Sequence, residues 1–253
     1  MTEGPRTSRP RLGGRGARYA QEVTPDAVGQ RVSVRTLVTD PHRGPVPSDV
    51  VGRLAGADDE ALLIVDRDGR LHVIAAADVL ASRIVPPHPR LAPEPVGGTA
   101  DAPLAREAAR ALVLDPNGRT LLIAHHPGDG RRVWTAPGGG LDPGEDQRTA
   151  AARELAEELG ITPELGPCVW TRDVVFAFHG VWIAQREAWY LALVDDLDPT
   201  RVPLDDVGTS EARWWSLDEL DATAEELAPR ALAEHLARLL RDGPPEAPVD
   251  VGR

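Results

Sequence analysis

The sequence has no lysine, little cysteine and no long apolar run. Its one cysteine, Cys168, excludes an intramolecular disulfide and a thiolate metal cluster. No apolar run is long enough to cross a membrane, and no apolar signal-peptide core follows Met1. These absences predict a cytoplasmic protein that does not span a membrane.

Positive charge is scarce, and all of it is guanidinium. The 28 basic side chains are arginines and face 40 Asp and Glu, which gives a net charge of −12 at pH 7. This surplus argues against general coating of nucleic acid. A phosphorylated substrate stays open, because a bound cation reverses the local sign of the charge. The lack of lysine, with frequent alanine, arginine and glycine, is typical of bacterial proteins from G+C-rich genomes.

Composition divides the chain into two domains, two tails and a linker. The N-terminal tail is rich in arginine, glycine, proline and serine without an apolar period, which predicts disorder. The next segment carries short alternating apolar runs and an Asp68-Gly69 turn, which predict a small all-β open barrel. The linker is rich in proline and glycine, so we expect few contacts across it. The five segments, in chain order, are residues 1–27, 28–87, 88–103, 104–241 and 242–253.

An acidic helix is predicted in the middle of the second domain. It covers Gln147–Leu159, with a capping aspartate before it and a glycine after it. Positions i, i+3 and i+4 share a helix face, so Glu154, Glu157 and Glu158 point the same way. Three like charges on one face fit a hard divalent cation with oxygen ligands. The alternative is a solvated acidic face, which the short Glu-x-x-Glu-Glu pattern alone would favour.

The glycine-rich turn before this helix changes that balance. The whole stretch resembles the Nudix box, in which a glycine, five residues, a glutamate and seven residues precede Arg-Glu-aliphatic-x-Glu-Glu-x-Gly-aliphatic. The Trp-x-x-Pro-Gly-Gly segment that usually precedes the box is matched from Trp134 to Gly139. All nine specified positions are matched, by Gly139, Glu145, Arg153, Glu154, Leu155, Glu157, Glu158, Gly160 and Ile161.

The resemblance covers roughly residues 104–241 and implies the α/β fold of the Nudix family, an α/β/α sandwich around a mixed sheet. It implies an enzyme that binds Mg²⁺, or Mn²⁺ as a substitute. The implied metal ligands are Glu154, Glu157, Glu158 and the carbonyl oxygen of Gly138.

Other residues of the box receive supporting roles from the resemblance. Arg153 would pair with Glu145 and hold the helix against its loop, and Glu145 could also reach a metal through water. The general base varies within the family. Here it stays open between Glu154 and Glu187, a glutamate in a later strand-like run.

Substrate contacts are predicted at two glycines and two arginines, Gly139, Gly140, Arg132 and Arg186. Arg132 lies in a loop expected to flank the glycine turn, where a solvated arginine is the alternative. Arg186 and Glu187 lie in a strand expected beside the acidic helix. For these two the alternative is a cross-strand ion pair, which is slightly favoured.

The implied activity is metal-dependent hydrolysis of a phosphoanhydride bond in a nucleoside diphosphate derivative. Downstream markers for ADP-ribose and dinucleoside polyphosphates are absent, which leaves a nucleoside triphosphate or an oxidised nucleotide. The alternative is a nucleotide-binding sensor that reports to an unknown partner through the N-terminal barrel. The complete set of box glutamates favours the pyrophosphohydrolase, and a homodimer stays open.

Overall fold

The computed structural model describes residues 23–40, 43–86, 97–204 and 207–252. The predicted N-terminal tail up to residue 22 and the linker from residue 88 to 96 lie outside the described residues. None of the helices in the described ranges is long and apolar enough to cross a membrane.

The N-terminal domain is a five-stranded antiparallel sheet in the order β4-β3-β2-β1-β5. Alternate residues such as Val32 and Val34 are buried, as expected for a strand with one covered face. The predicted turn at Asp68-Gly69 joins β3 to β4. The sheet confirms the all-β domain, and its closure into a barrel stays a prediction. Its strands are β1 (Arg31–Asp40), β2 (Gly44–Ala57), β3 (Ala61–Val65), β4 (Leu71–Ala75) and β5 (Ala81–Ile84).

The second domain is a mixed nine-stranded sheet with three α-helices in its described part. The main strand order is β13-β8-β7-β6-β11-β10-β14, with β12 paired to β7 and β9 paired to β6. Parallel pairs join β11 to β6, β10 to β14 and β13 to β8. The elements are β6 (Leu104–Leu114), β7 (Thr120–His125), β8 (Val133–Thr135), β9 (Gly138–Gly140), α1 (Gln147–Leu159), β10 (Leu165–Phe178), β11 (Val181–Leu193), β12 (Thr209–Trp215), α2 (Leu217–Ala222), β13 (Glu226–Ala228), α3 (Leu232–Asp242) and β14 (Val249–Asp250).

Two apolar cores lie on opposite faces of this sheet, because side chains alternate along its strands. Ala111 and Val113 of β6 share a core with Leu155 of α1. Leu112, from the same strand, shares the other core with Leu236 of α3. The sheet is therefore covered by helices on both faces, which confirms the predicted sandwich.

The helix α1 has the bounds that the sequence predicts. The Asp146 carboxylate accepts the backbone N–H of Thr149 at 2.7 Å and caps the first turn. The helix ends at Gly160, whose φ of 67° is in the left-handed region that favours glycine. These two local signals fix where the helix begins and ends.

Both predicted boundaries next to the tails need correction. The C-terminal tail was expected from residue 242, but β14 pairs with β10 and Val251 is 4% exposed in the core beside α3. At the other end, Pro25–Ala27 already forms a 3-10 turn, and Ala27 is buried against the N-terminal sheet. Isolated apolar residues after a proline-rich stretch carry no periodic signal, so composition alone indicated a tail.

The two domains share an apolar cluster, contrary to the expectation of few contacts across the linker. Every residue of β3 is buried, so both faces of this strand are covered. One face belongs to the core of its own sheet, through Leu62 and Ile64. The other face joins the second domain in a cluster of Ala61, Leu63, Val65, Leu104, Val181 and Ile183.

Polar contacts also join the N-terminal domain to the rest of the chain. His179, in the turn between β10 and β11, has a φ of 44° and a fully buried side chain. Its Nδ1 lies 2.6 Å from Oδ2 of Asp58 in the N-terminal domain. Arg53 of β2 also donates to the carbonyl of Gly97 at 3.0 Å. A fragment that begins near Ala102 would lose these contacts and expose the shared cluster, so the full chain is the proper unit for experiments.

Candidate active site

Two of the three glutamates of α1 contact the glycine strand β9. The carboxylate of Glu158 accepts the backbone N–H of Gly138 at 2.8 Å. Glu154 packs against Gly139 so closely that a Cβ there would lie 2.5 Å from its Oε1. Both carboxylates are buried, whereas the side chain of Glu157 is 60% exposed. The predicted face therefore exists, with two carboxylates under the glycine strand and one open to solvent.

Arg153 connects this face to the loop before the helix. Its Nη1 donates to Glu154 and Glu157 at 2.8 Å each, and its Nε and Nη2 donate to Glu145 at 3.1 Å. The carbonyl of Gly140 accepts a further bond from Nη2 at 3.0 Å. Burial opposes the charge, but the three carboxylates outweigh it and raise the pKa of Arg153. The predicted pair with Glu145 is present as part of a larger network.

The donors of this site suit a hard divalent cation in their chemistry. Three carboxylates share the guanidinium of Arg153, and the Glu158 carboxylate lies beside them, so negative charge is in excess. Only oxygen atoms are offered, as Mg²⁺ prefers. Across the described ranges, however, no three Asp, Glu, His or Cys side chains converge as a metal site. In this structure the carboxylates of Glu154 and Glu157 accept hydrogen bonds from Arg153, and that of Glu158 accepts the N–H of Gly138.

The glycines of β9 are needed for close approach. Gly138 has a φ of 139°, and a Cβ there would lie 2.2 Å from the carbonyl oxygen of Ala109. Its own carbonyl, the predicted extra metal ligand, accepts Nη1 of Arg110 at 3.3 Å. Gly139 and Gly140 have Glu154 and Arg106 against them, and their contact with substrate stays a prediction.

Glu187 occupies a fully satisfied buried site. Its side chain is 1% exposed and accepts hydrogen bonds from Arg110 at 2.9 Å, Gln185 at 2.7 Å and Trp189 at 3.0 Å. Arg172, its cross-strand partner, donates at 3.5 Å. Burial alone would raise the pKa of this carboxyl, but Arg110 and Arg172 lower it to about 2.

This environment argues against Glu187 as the general base, and its catalytic role stays a prediction. A carboxylate with a pKa far below neutral and four donors around it is a weak proton acceptor. The cross-strand ion pair, the alternative reading of this strand, is the arrangement observed.

Arg132 and Arg186, predicted to contact substrate, both have protein partners. Arg132 donates to Glu211 at 3.0 Å, and its guanidinium lies over the ring of Trp134, 4.8 Å from the centroid. Arg186 pairs across the strands with Asp173 at 3.1 Å and is largely exposed. Because adjacent strand residues point to opposite faces, Arg186 and Glu187 do not share a site.

Sequence reasoning missed two arginines of β6, Arg106 and Arg110. They lie four residues apart and therefore on one face of the strand. Arg110 donates to Glu187 and to the carbonyl of Ala136, and so links β6 to both the buried glutamate and the glycine turn. The available signal was an arginine within an otherwise apolar run, since a buried arginine requires acceptors.

Comparisons with known proteins agree with the second domain. The family model described as NUDIX domain matches residues 104–239. An RNA pyrophosphohydrolase of Erythrobacter litoralis is 30% identical over 138 residues, which cover 49% of this chain and 84% of the relative. An RNA pyrophosphohydrolase of Caulobacter vibrioides is 42% identical over 62 residues, which cover 24% of this chain and 36% of the relative. A solved NUDIX hydrolase from Nitrosomonas europaea is 22% identical with a TM-score of 0.44, covering 55% of this chain and 93% of that one.

Proposed function

The chain belongs to the NUDIX family and is a Nudix hydrolase, and from this premise we propose that it cleaves a phosphoanhydride bond in a nucleotide derivative with Mg²⁺. The observation that carries the proposal is the position of two α1 carboxylates, Glu154 and Glu158, against the glycine strand, with Glu157 exposed on the same helix face. The Glu158 bond to Gly138 and the contact of Glu154 with Gly139 fix that position.

The proposed metal-holding groups are the carboxylates of Glu154, Glu157 and Glu158, with the carbonyl of Gly138 as a further donor. When bound, a divalent cation would neutralise phosphate charge and make a nearby water more acidic. Mn²⁺ would substitute, because it accepts the same oxygen ligands.

Residues of the chain itself position the α1 carboxylates and leave one of them accessible to substrate. Arg153 holds α1 to the loop that carries Glu145, so the carboxylates keep their spacing relative to the glycine strand. Glu157 is the most exposed carboxylate of the face, so a substrate can approach it without opening the core. Of the two candidates for general base, we retain Glu154, because it lies on the α1 face against Gly139, whereas Glu187 is 1% exposed between Arg110 and Arg172.

For the substrate we propose a nucleoside triphosphate, including oxidised forms, or the phosphorylated end of an RNA. The nucleoside triphosphate follows from the sequence, which lacks the downstream markers for ADP-ribose and dinucleoside polyphosphates. The second follows from the name RNA pyrophosphohydrolase, which the relatives from Erythrobacter and Caulobacter carry. A net charge of −12 argues against extended RNA binding and is compatible with contact to one end.

The test is a hydrolysis screen with the purified full-length protein. The panel contains nucleoside triphosphates, oxidised triphosphates, triphosphorylated RNA, ADP-ribose and dinucleoside polyphosphates, each with Mg²⁺, with Mn²⁺ and with chelator. We expect release of phosphate or pyrophosphate from at least one compound, and loss of that activity with chelator. Tight binding of a nucleotide without turnover under any condition would favour the sensor.

Chelator is expected to leave the melting temperature unchanged when no substrate is present. The carboxylates are already satisfied by Arg153 and the N–H of Gly138, so the fold does not depend on a cation. Differential scanning fluorimetry with and without chelator checks this. A large fall in melting temperature would show that a metal is structural, contrary to the proposed role.

A further inference from the structure

One side chain of the N-terminal domain reaches the loop of the Nudix box. Arg70 follows the hairpin turn between β3 and β4, and its guanidinium bonds the carboxylate of Asp142. Asp142 precedes Glu145 by three residues, and its backbone N–H donates to Glu145 at 2.8 Å. The Asp66 carboxylate accepts the N–H groups of Asp68 and Arg70 and fixes the turn. Arg70 is therefore presented to the box from a well-defined backbone.

A second arginine, Arg106 of β6, packs against the glycine strand β9 near this contact. The guanidinium of Arg106 packs on Gly140, where a Cβ would lie 2.6 Å from its Nε and 2.7 Å from its Nη2. Within the described parts of the chain, no hydrogen-bond acceptor or ion-pair partner is in contact with it. Arg110, on the same face, has both Glu187 and the carbonyl of Ala136. A partly buried guanidinium without an acceptor is costly unless a ligand supplies one.

The charges around Arg106 indicate what that ligand is. Burial lowers the pKa of Arg106, and the like charges of Arg110 and Arg70 lower it further, while Glu154 and Glu187 raise it. Arg70 bonds Asp142, two residues after the Gly140 against which Arg106 packs, so the two guanidinium groups meet neighbouring positions of the box loop. Guanidinium pairs of this kind bind phosphate through charge-assisted hydrogen bonds.

We propose that Arg106 and Arg70 form an anion site for a phosphate group of the substrate, so that the N-terminal domain supplies part of the substrate site. The assignment of the anion to a substrate phosphate rests on the proposed function. Without substrate, Arg70 is held by Asp142, and a phosphate competes with this carboxylate. The site extends the phosphate-facing surface from the box to the N-terminal sheet.

The opposing explanation is that Arg70 only clamps the box loop through Asp142. The two explanations differ in the effect of Asp142→Ala. If Arg70 binds the anion, removal of its competing carboxylate leaves anion binding as tight as in the wild type, or tighter. If Arg70 is a clamp, Asp142→Ala weakens binding as Arg70→Ala does.

The experiment is isothermal titration calorimetry of the full-length protein with inorganic pyrophosphate in chelator, which removes any contribution from a cation. We expect Arg106→Ala to weaken binding by about ten-fold or more and Arg70→Ala by about three-fold or more, since each removes charge-assisted hydrogen bonds. Arg67→Ala is the matched control. It lies in the same hairpin turn, its side chain is 65% exposed, and its ion-pair partner there is Asp68.

The melting temperature of each variant is measured first. If Arg106→Ala does not fold, Arg106→Gln replaces it, and Arg70→Ala decides the contribution of the N-terminal domain. Equal binding by wild type, Arg70→Ala and the folded Arg106 variant overturns the anion site. So does the absence of pyrophosphate binding to the wild type, or equal weakening by Asp142→Ala and Arg70→Ala.

The hydrolysis screen distinguishes failure of the anion site from failure of the proposed function. An arginine-dependent pyrophosphate site in a protein that hydrolyses no compound of the panel would support the site and contradict the activity. Turnover with no change in pyrophosphate binding by either variant would support the activity and overturn the site.

Discussion

Replacing Glu157 by glutamine is expected to reduce turnover by roughly 100-fold or more, since even supporting groups around a metal change activity by about 10–100-fold. Glutamine keeps the shape of the side chain and removes the charge that a divalent cation requires. Stability should change little. The side chain is 60% exposed, and its bond to Arg153 is an i,i+4 pair, which is worth about 0.3–0.5 kcal/mol.

Glu158→Gln is expected to lose turnover as well, with a small loss of stability, because this buried carboxylate accepts the N–H of Gly138. Glu164→Gln is the matched control. Glu164 is an exposed glutamate that follows the end of α1. The measurements are initial rates at saturating Mg²⁺ and thermal unfolding. Wild-type turnover by Glu157→Gln with an unchanged melting temperature would contradict a role for this carboxylate.

Replacing Glu187 by glutamine is expected to destabilise the fold by about 3–5 kcal/mol, the usual effect of breaking a buried ion pair. The substitution leaves Arg110 and Arg172 without the charge that both face. A typical domain is stable by about 5–15 kcal/mol, so this loss is a large fraction. Equilibrium unfolding in urea measures it. Asp173→Asn is the matched control, since Asp173 pairs with Arg186 across the same two strands but is 72% exposed.

The same carboxylate predicts a pH dependence of stability. Its folded pKa of about 2 is below its ordinary value of 4.5, so its contribution is fully present above pH 4.5 and is lost as the pH falls towards 2. A shift of that size corresponds to about 3 kcal/mol. Unfolding measured between pH 6 and pH 3 should show a steeper loss for wild type than for Glu187→Gln. Parallel curves would contradict the buried ionised state.

Local signals in the sequence were sufficient for the helix that carries the candidate site. The aspartate cap, the closing glycine and the spacing of the glutamates depend on residues within a few positions of each other. Asp146 and Gly160 accordingly end the helix where predicted. The hairpins followed from turn residues in the same way, as at Asp68-Gly69.

Contacts between distant strands could not be predicted in this way. Glu187 was a candidate for catalysis because its strand lies beside the box helix. Its observed ion pair depends on Arg110, 77 positions away along the chain, and on the face of the sheet that it occupies. The sequence of β3 is a short apolar run. Such a run does not indicate that the second face of the strand packs against another domain.

The arginine that links the domains was also invisible to sequence analysis. Arg70 follows a turn rich in charged residues, where solvated side chains are the usual outcome. Its contact with Asp142 spans 72 positions, and no pattern within either segment indicates the other. The motifs of the sequence therefore indicated chemistry only inside the second domain.

The most direct test of cation binding by α1 is a Mn²⁺ titration of the substrate-free protein, with free Mn²⁺ followed by electron paramagnetic resonance. The wild type and Glu164→Gln are expected to deplete free Mn²⁺ equally. The triple variant Glu154→Gln, Glu157→Gln, Glu158→Gln is expected to leave free Mn²⁺ at the level of a protein-free control, while circular dichroism reports its helix content. Wild-type depletion of Mn²⁺ by the folded triple variant would contradict the assignment of the cation to these carboxylates.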